Sequence, residues 1–243
     1  MKIVASHQPH WNPYLGYIAK MKYADTFVFS DDVQFIKNGF VHRNKIRSRQ
    51  NADGWRWLTI PVSYHSNSLI KDVKLASGMD VMGKLLNLIT EEYRRAPNFP
   101  QVYTLMQHLA RETVHTDSFT FFAYLSLAFF GYAMSIIPSV RLASSLNYDA
   151  KPGDKNGRLI AITRAVDGDT YLAGYEAART YLDPQRFADA GIKLLAMEYL
   201  NPEYTQIHDG FMPKMGVIDV LVNTGNDARR LIEPNCYRII PLN

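Results

Sequence analysis

The chain has 243 residues, enough for one large domain or two small ones, and its 47% hydrophobic and 21% charged residues exclude a disordered chain. A net charge of +4 suits an anionic ligand and is too small to indicate a nucleic-acid binder by itself. The single cysteine, Cys236, excludes an intramolecular disulfide and a multi-cysteine metal site, and fits a reducing cytosol.

Residues Lys2–Ala5 read as an apolar strand that runs into Ser6-His7-Gln8-Pro9-His10-Trp11-Asn12-Pro13. A helix follows over Leu15–Lys22, then a second apolar strand over Ala24–Phe29 that ends in Ser30-Asp31-Asp32-Val33-Gln34-Phe35. Val41–Ile46 and Trp55–Val62 read as a hairpin around Asn51-Ala52-Asp53-Gly54. Leu69–Leu75 alternates and is a further strand candidate. Apolar spacing predicts helices over Met79–Arg95, Pro100–Thr113 and Ser118–Met134, the last capped by Asp117 and Ser118.

The α/β pattern then resumes. Ser135–Leu142 is strand-like, Ser144–Asn156 a polar loop, Leu159–Val166 a helix and Thr170–Ala173 a short strand. Pro184–Ala190 is a helix closed by Gly191, Ile192–Tyr199 a strand, and Val217–Asn223 a helix ended by Gly225. The expectation is a single α/β domain over 1–243: a Rossmann-like, mostly parallel sheet with a β-hairpin and a helical insertion at about 79–134. Phe119–Ile137 is aromatic-rich and broken by Ser126 and Gly131, so it reads as a buried helix rather than a membrane span. No leader is expected, since Met1–Ala5 is too short an apolar run, and the expected compartment is cytoplasmic.

Polar groups crowd the carboxyl edge of the predicted sheet, where such folds bind ligands. His7, Gln8 and His10 lie before a helix start, placed to donate to phosphate oxygens. Asp31 and Asp32 follow a buried strand and point to opposite faces, so one can enter a cleft as a general base or a magnesium ligand. The plainer alternative for the pair is a turn cap plus a salt bridge to Arg43. Arg43, Lys45, Arg47 and Arg49 alternate on one strand face. Of these, Arg43 is expected to neutralise ligand charge with Asn44 beside it, while Arg47 and Arg49 go to solvent.

Farther along, Gly174 permits close backbone approach, with Tyr175, Tyr181, Lys155 and Arg158 within reach of the same cleft. Asp219 and Asn223 share a helix face, either as a loop cap or as substrate contacts together with Gln34. Residues Lys151–Gly157 lack the P-loop spacing. His65, His108, His115 and His208 lack ligand spacing, so no metal site is expected.

Several of these segments resemble the WbqC-like protein family. The motifs are His7-Gln8-Pro9, Leu15-Gly16-Tyr17, Ala24-Asp25, Asp31-Asp32-Val33-Gln34-Phe35, Arg43-Asn44-Lys45-Ile46 and Trp57-Leu58-Thr59-Ile60-Pro61-Val62. Tyr171-Leu172-Ala173-Gly174, Tyr181-Leu182, Tyr204-Thr205-Gln206 and Ile218–Gly225 continue the match in order. Trp11-Asn12-Pro13-Tyr14 stand where that family usually reads Leu-Pro-Trp. The resemblance implies a place in surface-sugar modification, with glycine transfer as the suggested chemistry. The strand–loop–helix start is also similar to nucleotidylyltransferase-type folds such as pantothenate synthetase, with Pro13 in place of their second histidine and their glycine missing.

Site layout and resemblance together give three readings. The first is a transferase or ligase joining an amino acid to an amino-sugar or small-metabolite amine through an ATP-derived adenylate, with Mg²⁺. Here His7, Gln8 and His10, with Gly174 and Lys155, bind the nucleotide, and His7, Asp31 or Asp32, and Arg43 act in the chemistry. The second is acyl transfer from a pre-activated donor, an aminoacyl-tRNA (the one nucleic-acid partner considered) or a thioester. The third is a nucleotide or nucleotide-sugar binding protein without catalysis.

Overall fold

The computed structural model describes residues 1–77, 80–137 and 139–243. The chain begins with β1 (Ile3–His7), α1 (Leu15–Tyr23) and β2 (Thr26–Phe29). Then come β3 (Arg43–Arg47), β4 (Trp55–Thr59), β5 (Val62–Ser63) and β6 (Lys74–Leu75). Helices α2 (Val81–Tyr93), α3 (Phe99–Thr113) and α4 (Phe119–Ala133) precede β7 (Val140–Leu142) and α5 (Lys155–Ala165). The rest is β8 (Thr170–Gly174), α6 (Tyr175–Thr180), α7 (Pro184–Asp189), β9 (Lys193–Tyr199), α8 (Val217–Thr224) and β10 (Tyr237–Pro241).

Six strands form one sheet in the order β10-β9-β8-β1-β2-β7. All neighbours run parallel except the edge pair β9 and β10. Taken in chain order, the five parallel strands lie third, second, first, fourth, fifth across the sheet. This is the doubly wound arrangement, and its direction of winding reverses between β1 and β8. Both faces are covered, so β1 is apolar on successive residues from Ile3 to Ala5 rather than alternating. Ile3 and Ala5 join the core that contains Ile18 and Met21 of α1, while Val4 and Val28 meet Ile162 and Val166 on the other face.

Between β2 and β7 the chain builds the antiparallel hairpin of β3 and β4, the small pair β5–β6, and helices α2 to α4. Their core merges with that of the sheet, where Trp11 packs 6.0 Å from the Phe122 ring. Short polar side chains start several helices: Asp80 accepts from Gly83 N, Ser118 from Phe121 N, and Asp183 from Gln185 N ahead of Pro184. Gly191 and Gly225, at φ of +71° and +54°, end α7 and α8.

The structure corrects several boundaries. Leu69–Leu75 is a 3-10 turn over Ile70–Asp72 followed by two strand residues. Ser135–Leu142 shrinks to three strand residues, because Ser135 turns at φ of +57° and Ile136 N donates back to Gly131 O to close α4. The start of α5 moves back to Lys155, because Asp154 accepts from Gly157 N and caps it. Asp117 caps nothing in α4, its carboxylate meeting Lys74 Nζ at 2.7 Å. Met79, the first residue of the predicted second helix segment, lies outside the described residues. Helix α6 and strand β10 were not predicted at all.

Candidate functional site

The carboxyl ends of β1, β8 and β9 open into a cavity of about 500 Å³ at the winding reversal. Its walls are Ser6 and His7, Gly174 and Tyr175, and Glu198 and Tyr199, with Tyr14, Tyr17 and Lys20 of the α1 region below. A β-carbon built on Gly174 would meet no atom within 4 Å, so the backbone there borders open space. Tyr181, 41% exposed, stands at the rim. Thus His7, Gly174, Tyr175 and Tyr181, singled out from sequence alone, line one cavity.

His7 is held by its surroundings. Its Nδ1 lies 3.2 Å from the Gln8 carbonyl, which can only accept, so Nδ1 carries the proton. Burial, with Lys20 and His10 nearby, keeps the imidazole well below its ordinary pKa, so the ring is neutral and Nε2 is an acceptor. The His7 ring packs 4.8 Å from both His10 and Tyr17, and the His10 ring stacks on Tyr17 at 5.1 Å. Tyr17 Oη donates to the Gln8 carbonyl at 3.1 Å. His10 is buried behind the cavity wall, its Nδ1 without a partner among the described residues, and burial lowers its pKa to about 3. Gln8 and His10 therefore support His7 and do not line the cavity themselves.

The loop after β1 is stitched from outside. Trp11 Nε1 donates to His42 O at 3.0 Å, Asn44 Nδ2 to Asn12 O at 2.7 Å, and Ile218 N to Asn12 Oδ1 at 3.1 Å. Asn44 is thus a tether for the loop that aims His7. Arg43 donates to Asn38 O at 2.7 Å and lies over the Trp57 ring at 4.2 Å, on the hairpin and away from the cavity walls. Arg47, expected to face solvent because it lies beyond the Arg43–Ile46 motif, is buried: its guanidinium binds Gln206 Oε1 at 2.5 Å and the carbonyls of Asp209 and Gly210. Gln34 is exposed and donates to Ser66 O at 3.1 Å.

Asp31 and Asp32 are committed within the fold. Asp31, 1% exposed, accepts from Ser144 N at 2.9 Å and Ser144 Oγ at 2.6 Å. Asp32 accepts from Tyr148 Oη and from Arg158 Nη2, so its salt bridge is to Arg158 and not to Arg43. Arg158 also reaches Ser30 Oγ at 3.3 Å, and Ser30 Oγ meets Ser6 Oγ at 2.6 Å. A second hollow, holding Asp32, Tyr148, Lys155 and Arg158, lies beside the first. Lys155 Nζ stands 4.8 Å from the Tyr181 ring, between the two.

Asp219 is 0% exposed and anchors a network. Tyr93 Oη donates to Oδ2 at 2.5 Å, Tyr204 Oη to Oδ1 at 2.6 Å, and Gln206 Nε2 to Oδ1 at 3.3 Å. Asn223 accepts from Ile207 N at 2.8 Å and donates to Asp219 O at 2.7 Å. Both side chains fasten the segment before α8 and border no wall of the cavity.

Sequence reasoning missed Lys20, Glu198 and Lys214, all of which line the cavity. Lys20 is 5% exposed, donates to Ser6 O at 3.1 Å and has no carboxylate within ion-pair distance among the described residues. Burial lowers its pKa to about 7. Its one sequence signal is its position, a charge inside the apolar helical run from Leu15 to Met21. Glu198 contacts Arg238 only at 3.6 Å and keeps a third of its side chain exposed.

A doubly wound α/β protein with a cavity at its switch point is the class these observations define. The family model of the WbqC-like protein family matches residues 8–231, and the chain belongs to that family. An uncharacterized protein of Mycobacterium tuberculosis, Rv1507c, is 29% identical over 231 residues, which is 94% of this chain and 96% of that protein.

Proposed function

We propose that the chain is an amide-forming transferase or ligase. It joins the activated carboxyl group of an amino acid to the amine of an amino sugar or similar small metabolite. The observation that carries this reading is the composition of the switch-point cavity. The cavity offers acceptors for an amine, His7 Nε2 and the Glu198 carboxylate, while Lys20 and Lys214 offer positive charge for the activated donor. In the reaction the amine nitrogen forms the C–N bond, the C–O bond to the AMP leaving group breaks, and Glu198 takes the proton from nitrogen. His7 orients the amine by accepting a hydrogen bond. Gly174 leaves room for the donor at the backbone. Asp31, Asp32, Asp219 and Asn223, committed to the fold, are given no part.

Among the described residues no group of three or more His, Cys, Asp or Glu side chains stands ready to hold a metal ion. Magnesium would arrive on the triphosphate of ATP. The commitment of Asp31 and Asp32 to Ser144, Tyr148 and Arg158 favours a second reading, in which the donor arrives already activated as a thioester or aminoacyl-tRNA.

ATP–pyrophosphate exchange with a panel of amino acids tests the first reading. Exchange with at least one acid is expected, and His7→Ala or Glu198→Gln should slow amide formation by about a hundredfold. Product from a pre-activated donor without ATP establishes the second. No amide from either donor type ends the proposal.

A further inference from the structure

Lys20 is a poor choice for stability. An ammonium taken out of water without a counter-ion costs more than an apolar side chain of the same length. Here it is 5% exposed, and its contacts are the Ser6 carbonyl at 3.1 Å and the Phe27 ring at 5.8 Å. The ionisable groups around it are His7 and His10 from β1 and its loop, Tyr17 one turn earlier on α1 and Tyr171 on β8. Elsewhere in the cavity lining are Glu198, already beside Arg238, then Glu176 and the cation Lys214. The two histidines are neutral and the tyrosines hold their protons, so among the described residues no group packed against Lys20 supplies the negative charge it lacks. The Ser6 carbonyl takes one of three possible donors, leaving the others for the cavity that Lys20 lines.

We propose that Lys20 is the anchor for an oxyanion group of the ligand, a carboxylate or a phosphate, and that the anion enters together with one proton. The claim depends on the proposed function only for the location of the ligand. The amine is half-charged near neutrality, so an arriving anion completes its protonation. Binding then weakens as pH rises, because the proton must be supplied from an increasingly alkaline solution.

The test is calorimetric titration of the full chain with inorganic phosphate and, separately, with acetate, in two buffers of different ionisation heat. At least one anion is expected to bind with uptake approaching one proton above neutrality, and to lose affinity about tenfold per pH unit there. Phosphate alone identifies a phosphoryl group, acetate alone a carboxylate, and both a simple oxyanion pocket. Lys20→Met should weaken binding at least about tenfold, while Lys20→Arg should keep it at neutral pH and flatten the pH profile. Absence of binding by both anions, binding without proton uptake, or an unchanged affinity in Lys20→Met overturns the proposal. Failed amino-acid exchange alongside proton-linked anion binding would sink the reaction and leave the anchor standing, and the converse pair of results would do the reverse.

Discussion

The cost of holding Lys20 in the cavity wall is measurable without a ligand. Its pKa is about 7 in the fold against 10.5 for a free lysine, so the unfolded chain binds the additional proton throughout that interval. Stability therefore rises with pH between those values, and the penalty at neutral pH is on the order of 4 kcal/mol. Lys20→Met should raise the thermal midpoint near neutral pH, and a lowered midpoint would mean that the amine is structurally required. The histidines act at the other end of the scale. His10 and His42 are pressed down to about 3 and about 4, and His7 well below its ordinary value. Each is neutral in the fold and protonates in the unfolded chain below about pH 6.5, at a cost near 1.4 kcal/mol per pH unit apiece. Denaturant melts should show stability falling from about pH 6.5 downward, with a shallower slope in His42→Gln. At this scale the sequence is legible where polar residues cluster, as at Ser6–His10. It hides Lys20, since a lysine in an apolar helical run usually bends its head to water.

Elements are held by polar side chains that look catalytic when read in one dimension. Asp31 and Asp32 sit at a strand end, as an active-site pair would, but Asp31 fixes the turn after β7 through Ser144. Only the fold brings Ser144 and Arg158 to that edge, so the pairing has no local signal. Asp31→Ala leaves the Ser144 amide and hydroxyl unpaired and should cost about 2 to 3 kcal/mol in chemical denaturation. In the same way Asp219→Asn disrupts the acceptor for Tyr93 and Tyr204 and should cost about 2 kcal/mol. Caps and periodicity made most helices and the hairpin readable. Strand β10 escaped because its pattern Tyr-Arg-Ile-Ile-Pro includes a proline, tolerated there because the strand lies at the sheet edge.

For the whole molecule, alternating strands and helices pointed to a parallel sheet, but strand order is set by crossovers and is invisible in composition. That order decides where the cavity forms. It places the reversal between β1 and β8, which joins His7 to Gly174 across the length of the chain. Filling that gap tests the assignment: Gly174→Val should fold normally, since nothing lies within 4 Å of its β-carbon, yet should impair ligand binding and turnover. Impaired folding with intact turnover would move the site elsewhere. The helical middle, by contrast, packs onto the sheet core and lends no side chain to the cavity wall.

The pairing of Ile3 with Thr170 also has a consequence for biosynthesis. The strand at the centre of the sheet is made before the other five strands, and one of its two neighbours, β8, follows only after β2 and β7. Until then the apolar edge of β1 has no permanent cover, and β2 waits for β7 in the same way. Such long-range closure makes folding slow and leaves a nascent strand open to wrong partners. The cavity, which needs β1, β8 and β9 together, can form only once all three strands have been made.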